Sequence, residues 1–303
     1  MQLITSEGVF DARVRRQINE NFLELSQVVR QAWHVDQTKG SPSHDGKTWE
    51  TPLASVQTAH DLATAGDLIR IGPGSYDEAL VIKKNNLIFH GVGARGAVAI
   101  APSATNAVAI TVDGTLGSRI QEVGLVNVGG EGNGTGGGLY LKGNLRRIRA
   151  TACKFEGGAF GAKLESTAAG SVGDIRLEDI ELAWATTALH LLASGGGDPV
   201  TNVLLRDSLL HNFSADGLLN TVAAVSDLWV YRNLFGEQEA GVQPTRFLKL
   251  DVAGASGVIA GNHFATTIWD VAKFVLDAEM LFVGNFAQAE GPATGGGTAG
   301  RPD

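Results

Sequence analysis

Cysteine is nearly absent. Cys153 is the single thiol in 303 residues, so the chain cannot close a disulfide within itself, and at an apolar strand position Cys153 reads as a small buried hydrophobe. No apolar run approaches the roughly eighteen residues that a membrane span requires, so no membrane insertion is expected. The N-terminus lacks the apolar core of a secretion signal, which argues against Sec export and for assembly in the cytoplasm. Charge is low, at 18% of residues, the net charge is −8, and no long basic stretch occurs; a nucleic-acid groove is not expected. The seven histidines (positions 34, 44, 60, 90, 190, 211 and 263) show no zinc-type spacing. The Gly-rich run 129–138 lacks the Gly-Lys-Ser/Thr ending and the following helix of a phosphate loop. The sequence thus points to no metal and no cofactor.

What the chain has in abundance is glycine, 40 residues of it, as expected where many tight turns join short strands. It also repeats. Five signatures recur in the second half: Ile175–Ile180, Val203–Ser208, Trp229–Leu234, Val258–His263 and Leu281–Phe286, pivoting on Asp179, Asp207, Asn233, Asn262 and Asn285. The pivots are 28, 26, 29 and 23 residues apart. In each unit the residues four and two before the pivot are apolar, the period-two signal of a strand with one buried face. Asp and Asn tolerate the left-handed conformation that bends a chain at one residue. A repeat of this length implies a solenoid, with pivots stacked about 4.8 Å apart as a structural ladder. On this alignment Trp229 and Tyr231 face inward, and the Gly-rich stretches 129–138 and 194–198 are loops. Two weaker units bend at Gly124 and Ala152. The span from Leu68 to Phe286, at roughly 27 residues per coil, predicts about eight coils and a stack on the order of 40 Å tall.

Three regions follow. Residues 1–35 form an N-terminal segment in which Phe10, Val14, Ile18, Phe22, Leu25 and Val29 make the stripe of an amphipathic helix about 35 Å long, to be covered by the body or by copies of itself. Residues 36–290 form the body, with a capping helix near 53–65 over the open end of the stack. Residues 291–303, with Gly295–Gly297, read as an extended or mobile tail.

The stretch from Trp49 through Ala65-Gly66-Asp67-Leu-Ile-Arg-Ile71-Gly-Pro73-Gly74-Ser-Tyr76, with Asn86–Gly91 after it, resembles the opening of the pectin-lyase-like right-handed parallel β-helix family. The resemblance extends over about 45–290 and implies an all-β fold, a right-handed parallel β-helix. It implies no one activity, because lyases, hydrolases, epimerases and non-enzymatic virion proteins share the fold. Arg16–Leu25 is similar to an IN-x-NF-x-EL segment found near the start of bacteriophage tail proteins. Together these resemble a tailspike or related virion appendage. The resemblance implies a homotrimer, attachment to other virion proteins through residues 1–35, and a host-surface polysaccharide as partner.

No residue stands out as catalytic. Glycosidases of this kind need two or three carboxylates roughly 5–10 Å apart. The densest acidic cluster is Asp174, Glu178, Asp179 and Glu181, one coil from Asp207, and it reads as solvated strand and turn charge, with Glu178 outward. Trp184 and Trp269, outside the clear strands, are candidate partner contacts. The expectation is a structural attachment protein of a phage particle, a short tailspike or fibre engaged in receptor binding. A capsid decoration protein is the near alternative, and a polysaccharide hydrolase or lyase the enzymatic one.

Overall fold

The computed structural model describes residues 31–115, 118–222, 225–236, 244–265 and 271–288. The stripe Phe10–Val29, Trp269 and the tail 291–303 lie outside the described residues. The rest is an all-β parallel solenoid. Each coil contributes one strand to each of three sheets, here called A, B and C in chain order. In one coil these are Val172–Glu178 in A, Glu181–Ala183 in B and Thr187–Ala193 in C. Sheet A has ten strands, from Ala32–Val35 to Met280–Val283. Sheet B has nine, from Gly74–Tyr76 to Phe286–Gln288, and sheet C has eight, from Leu80–Ile82 to Phe274–Leu276. From the first strand of C to the last the chain makes about seven full turns, against the eight coils expected from the repeat length.

Every pairing between these strands is parallel and in register, so inward residues stack in columns such as Ile148, Ile175, Val203 and Leu228, all essentially buried. Burying the alternate side chains of every strand in one continuous core is what holds the coils together. Near the C-terminal end the core becomes aromatic, with Phe235 and Phe264 stacked at 4.7 Å and Phe274 edge-on to Phe264 at 4.8 Å.

The corner from sheet A to sheet B uses two adjacent columns. The first is left-handed in each coil from Asn127 onward: Asn127, Ala152, Asp179, Asp207, Arg232, Gly261 and Gly284, with φ between 51° and 65°. The second points inward: Val128, Cys153, Ile180, Ser208, Asn233, Asn262 and Asn285. Asp179 and Asp207 therefore occupy the exposed bend, and Asn233, Asn262 and Asn285 the buried position one residue later. Asn suits either position, and aligning the repeats on it slips the later units by one residue. A slip of one exchanges the two faces of a strand. The inward residues of the last three units are Leu228, Val230, Ile259 and Phe282, not Trp229, Tyr231, Val258, Ala260, Leu281 or Val283. Likewise the early bend is Asn127 and not Gly124, which lies within the strand Ile120–Val126, and the run 129–138 supplies parts of two strands.

At the N-terminal end, a helix spans Val56–Leu62, shorter than the 53–65 read from the sequence. Ser55 caps it, its Oγ accepting from the Thr58 N–H at 3.2 Å. Glu78 accepts from Ser55 Oγ and from the N–H groups of Val56 and Gln57 at 2.7, 2.7 and 3.0 Å. Val56 and Ala59 are buried. Gln57 Oε1 accepts from the N–H of Val81 at 2.8 Å, and His60 Nε2 from that of Lys83 at 3.2 Å. The helix thus satisfies donors along the free edge of the first C strand, a strand edge otherwise open to pairing.

Candidate interaction surface

Within the strands of sheet A runs a second left-handed column: Glu122, Arg147, Asp174, Asn202 and Asp227, φ between 49° and 59°. These residues drop out of the ladder pairing, as Ile148↔Ile175 and Gly173↔Thr201 flank an unpaired Arg147 and Asp174. Each breaks the in–out alternation of its strand and bends it, and the equivalent residue of the neighbouring coil does the same. Repeated from coil to coil, the bend sets a groove of about 660 Å³ into the outer face of sheet A, lined among others by Arg147, Arg149, Asp174, Arg176, Trp229 and Tyr231.

The groove has a cationic end and an apolar end. At the first, Arg147 pairs with Glu122 at 2.8 Å, and Arg149 and Arg206 (2.7 Å) hold Glu178 between them. The Glu178 contacts are ionic and not aligned hydrogen bonds. Arg176 is exposed and has no ion-pair partner among the described residues. At the other end, Trp229 and Tyr231 stack with centroids 5.9 Å apart and planes 18° apart. The coil-to-coil register continues Leu204 into Trp229, Val258 and Leu281, and Tyr231 into Ala260 and Val283. Leu281 is 56% exposed and Trp229 37%. Such a contiguous apolar row is a candidate contact surface.

The acidic cluster of the sequence is dispersed. Asp174 lies in the groove and accepts from Asn202 Nδ2 at 2.7 Å. Glu178 faces outward yet is buried beneath its two arginines. Asp179, at the corner, pairs with Arg95, and Asp207 with Arg232 at 2.8 Å. Glu181 stands on sheet B, 3.7 Å from Lys154 and 3.1 Å from His211. Trp184 is half exposed between sheets B and C. Cys153 is buried, and burial pushes its thiol up to about 11.

The outer face of sheet C carries a network that sequence reasoning missed. Glu165 accepts from Tyr140 Oη and from Ser194 Oγ (2.5 Å), and pairs with Lys163 at 2.7 Å. Burial opposes ionisation of Glu165, but these contacts together hold its carboxyl below the usual range. His190 Nε2 lies 2.8 Å from Thr221 Oγ1, and burial, then the charge of Lys163, push the ring down to about 4. Residues 140, 163, 165, 190, 194 and 221 come together only through the register of neighbouring coils, so no local motif announces them.

No protein-family model matches the chain, and no curated protein sequence does. Solved structures do. A pectin methylesterase from Aspergillus niger is 13% identical with a TM-score of 0.51, over 89% of this chain and 91% of that one. The ORF18 protein of Geobacillus virus E2 is 12% identical with a TM-score of 0.46, over 90% of this chain and 63% of that one. A pectate lyase is 9% identical with a TM-score of 0.36, over 86% and 78%. At such identities the likeness is one of fold. The class defined is the parallel β-helix, shared with the methylesterase.

Proposed function

We propose that this chain is a structural component of a bacteriophage particle. It is a trimeric β-helix appendage, a short tailspike or fibre, held to other virion proteins through residues 1–35 and contacting the host surface. The similarity of Arg16–Leu25 to phage tail-protein N-termini supports the particle. The outer face of sheet A supports the structural role. There Glu178 is ion-paired and Asp174 is hydrogen-bonded, and beside them the sheet exposes a continuous apolar row. That row is the observation that carries the reading, because it offers a surface to another surface and not a pair of free carboxylates to a glycosidic bond.

Asp174 among the groove arginines favours a second reading, a hydrolase or lyase acting on an acidic polysaccharide. Incubation with capsule or lipopolysaccharide of the host separates the two. Retention of the glycan with no new reducing ends or unsaturated sugars is expected, and turnover that disappears in Asp174→Asn overturns the structural reading. Immunogold labelling of intact particles tests location. Label on the tail is expected; label on the head, with heads that break when the protein is removed, assigns it to capsid decoration. Particles without label refute the virion role.

A further inference from the structure

At its cationic end the sheet A groove places four outward residues at the corners of a square. Arg147 and Arg149 stand two positions apart on the strand Leu145–Thr151. Asp174 and Arg176 stand two apart on the neighbouring strand Val172–Glu178, about 4.8 Å further along the stack. Three of the corners are guanidinium groups. Arg147 is held by Glu122 at 2.8 Å, and Arg149 by Glu178, which it shares with Arg206. The acidic corner is engaged from its other sides: Asp174 accepts from Asn202 Nδ2 at 2.7 Å and lies 3.9 Å from Arg146, which is itself tied to Ser171. Of the groove's cations only Arg176 has no counter-ion among the described residues. Two coils beyond Arg176, about 9.6 Å along the same column, stands Trp229. Tyr231 stacks behind it at 5.9 Å, too close for a third ring to enter between them. Asn202 lies at the height between the arginines and this aromatic wall.

We propose that this groove binds a saccharide carrying a single phosphate group, the phosphate lodged among Arg147, Arg149 and Arg176 and a neighbouring sugar ring laid on Trp229. A phosphate has three acceptor oxygens and meets guanidinium groups from three positions, whereas one guanidinium fork satisfies a carboxylate. One uncompensated cation matches one anionic group, not the charge at every residue of a nucleic acid or a polyuronic acid. An aromatic face with the Asn202 amide and the Asp174 carboxylate beside it suits a ring that is apolar on its face and hydroxylated at its edge. Arg147 and Arg149 are already fixed by their glutamates, so the cationic corner is in place before the ligand arrives. The proposal rests on the reading of this face as the one that contacts the host surface, and it names the chemistry contacted.

The test is calorimetric titration of the full chain with trehalose 6-phosphate, compared with trehalose, inorganic phosphate, the carboxylated disaccharide of hyaluronan and adenosine monophosphate. Trehalose 6-phosphate is expected to bind about tenfold more tightly than any of the others. Arg176→Gln is expected to weaken it about tenfold, and Arg176→Lys to recover only part of the loss, since lysine keeps the charge without the fork. Trp229→Ala is expected to weaken trehalose 6-phosphate and to leave inorganic phosphate unchanged. Arg176 and Trp229 both point outward, and unchanged melting temperatures verify that the variants are folded. Arg147→Gln, on the neighbouring strand, is the second variant and is expected to lose binding likewise. Equal binding of the carboxylated disaccharide, tighter binding of adenosine monophosphate, no binding of trehalose 6-phosphate, or binding indifferent to Arg176→Gln each overturns the proposal. Adsorption of particles to host cells keeps the two readings apart. If trehalose 6-phosphate binds as expected but Arg176→Gln particles adsorb normally, the site stands and the host-contact reading falls. If particles lose adsorption in Arg176→Gln while trehalose 6-phosphate does not bind, the site falls alone.

Discussion

Asn262 holds Asn233 from the next coil: its Oδ1 accepts both the backbone N–H and the side-chain Nδ2 of Asn233, at 2.9 and 3.0 Å. Asn285 repeats this toward Asn262, at 2.9 Å for both bonds, and Asn233 Oδ1 accepts the N–H of Ser208 at 3.0 Å. The amides also donate to the carbonyls of Leu205, Val230 and Ile259. Each buried corner polar group is thereby satisfied by the neighbouring coil.

Asn262→Ala removes these bonds and strands the Asn233 N–H and the Val230 carbonyl in the core. The expected cost is about 3 kcal/mol, from two or more buried groups left unsatisfied. Asp207→Gly, at the exposed bend, is expected to change stability by less than about 1 kcal/mol, since glycine adopts positive φ freely. Urea unfolding of the two variants checks the contrast; equal losses would show that the two corner columns are energetically one.

Leu228 and Trp229 are neighbours with opposite fates. Leu228→Ala empties a fully buried position and is expected to cost about 3 kcal/mol. Trp229→Ala, on the outer face, is expected to cost about 1 kcal/mol or less in the separated chain. Thermal unfolding at a concentration too low for association is the measurement, and a larger loss from the tryptophan contradicts the observed register.

Glu78 accepts three donors at the start of the Val56–Leu62 helix. Glu78→Ala is expected to cost about 2 kcal/mol, through lost capping and lost charge at the positive helix end. Hydrogen exchange should report the loss first at Val56–Leu62 and at the strand Leu80–Ile82 that the helix covers.

Acid should destabilise the fold. Burial lowers the pKa of His34, His60, His90 and His190 from 6.5, that of His190 to about 4. The unfolded chain therefore binds protons that the folded chain refuses, so stability is complete above pH 6.5 and declines as the pH falls toward the folded values. The lowered carboxyls of Asp113 and Glu165 act with the same sign at lower pH. A melting temperature flat from pH 7 to pH 5 would contradict this. His190→Gln should reduce the slope.

Much of the architecture is legible along the chain, because a solenoid coil is a local object. Residues such as Ile175, Leu177, Ile180 and Leu182 alternate within a few positions of one another, and the 23 to 29-residue step recurs. Periodicity and turn chemistry were enough to name the strands, the corner and the stack. The slip at Asn233 marks the limit. An asparagine is as suited to the bend as to the buried place after it, and only the coil beneath, through the pairing of Leu205 with Val230, tells which it occupies.

The surface is another matter. Arg149, Arg176, Leu204 and Trp229 lie about 25 to 28 residues apart in sequence and form one column in space, because parallel strands stack about 4.8 Å apart. Spacing alone does not align them, since the loops between coils vary in length and a change of one residue turns a side chain from solvent to core. The repeat and its buried faces follow from local chemistry. Which outward residues become neighbours follows from hydrogen bonding between coils.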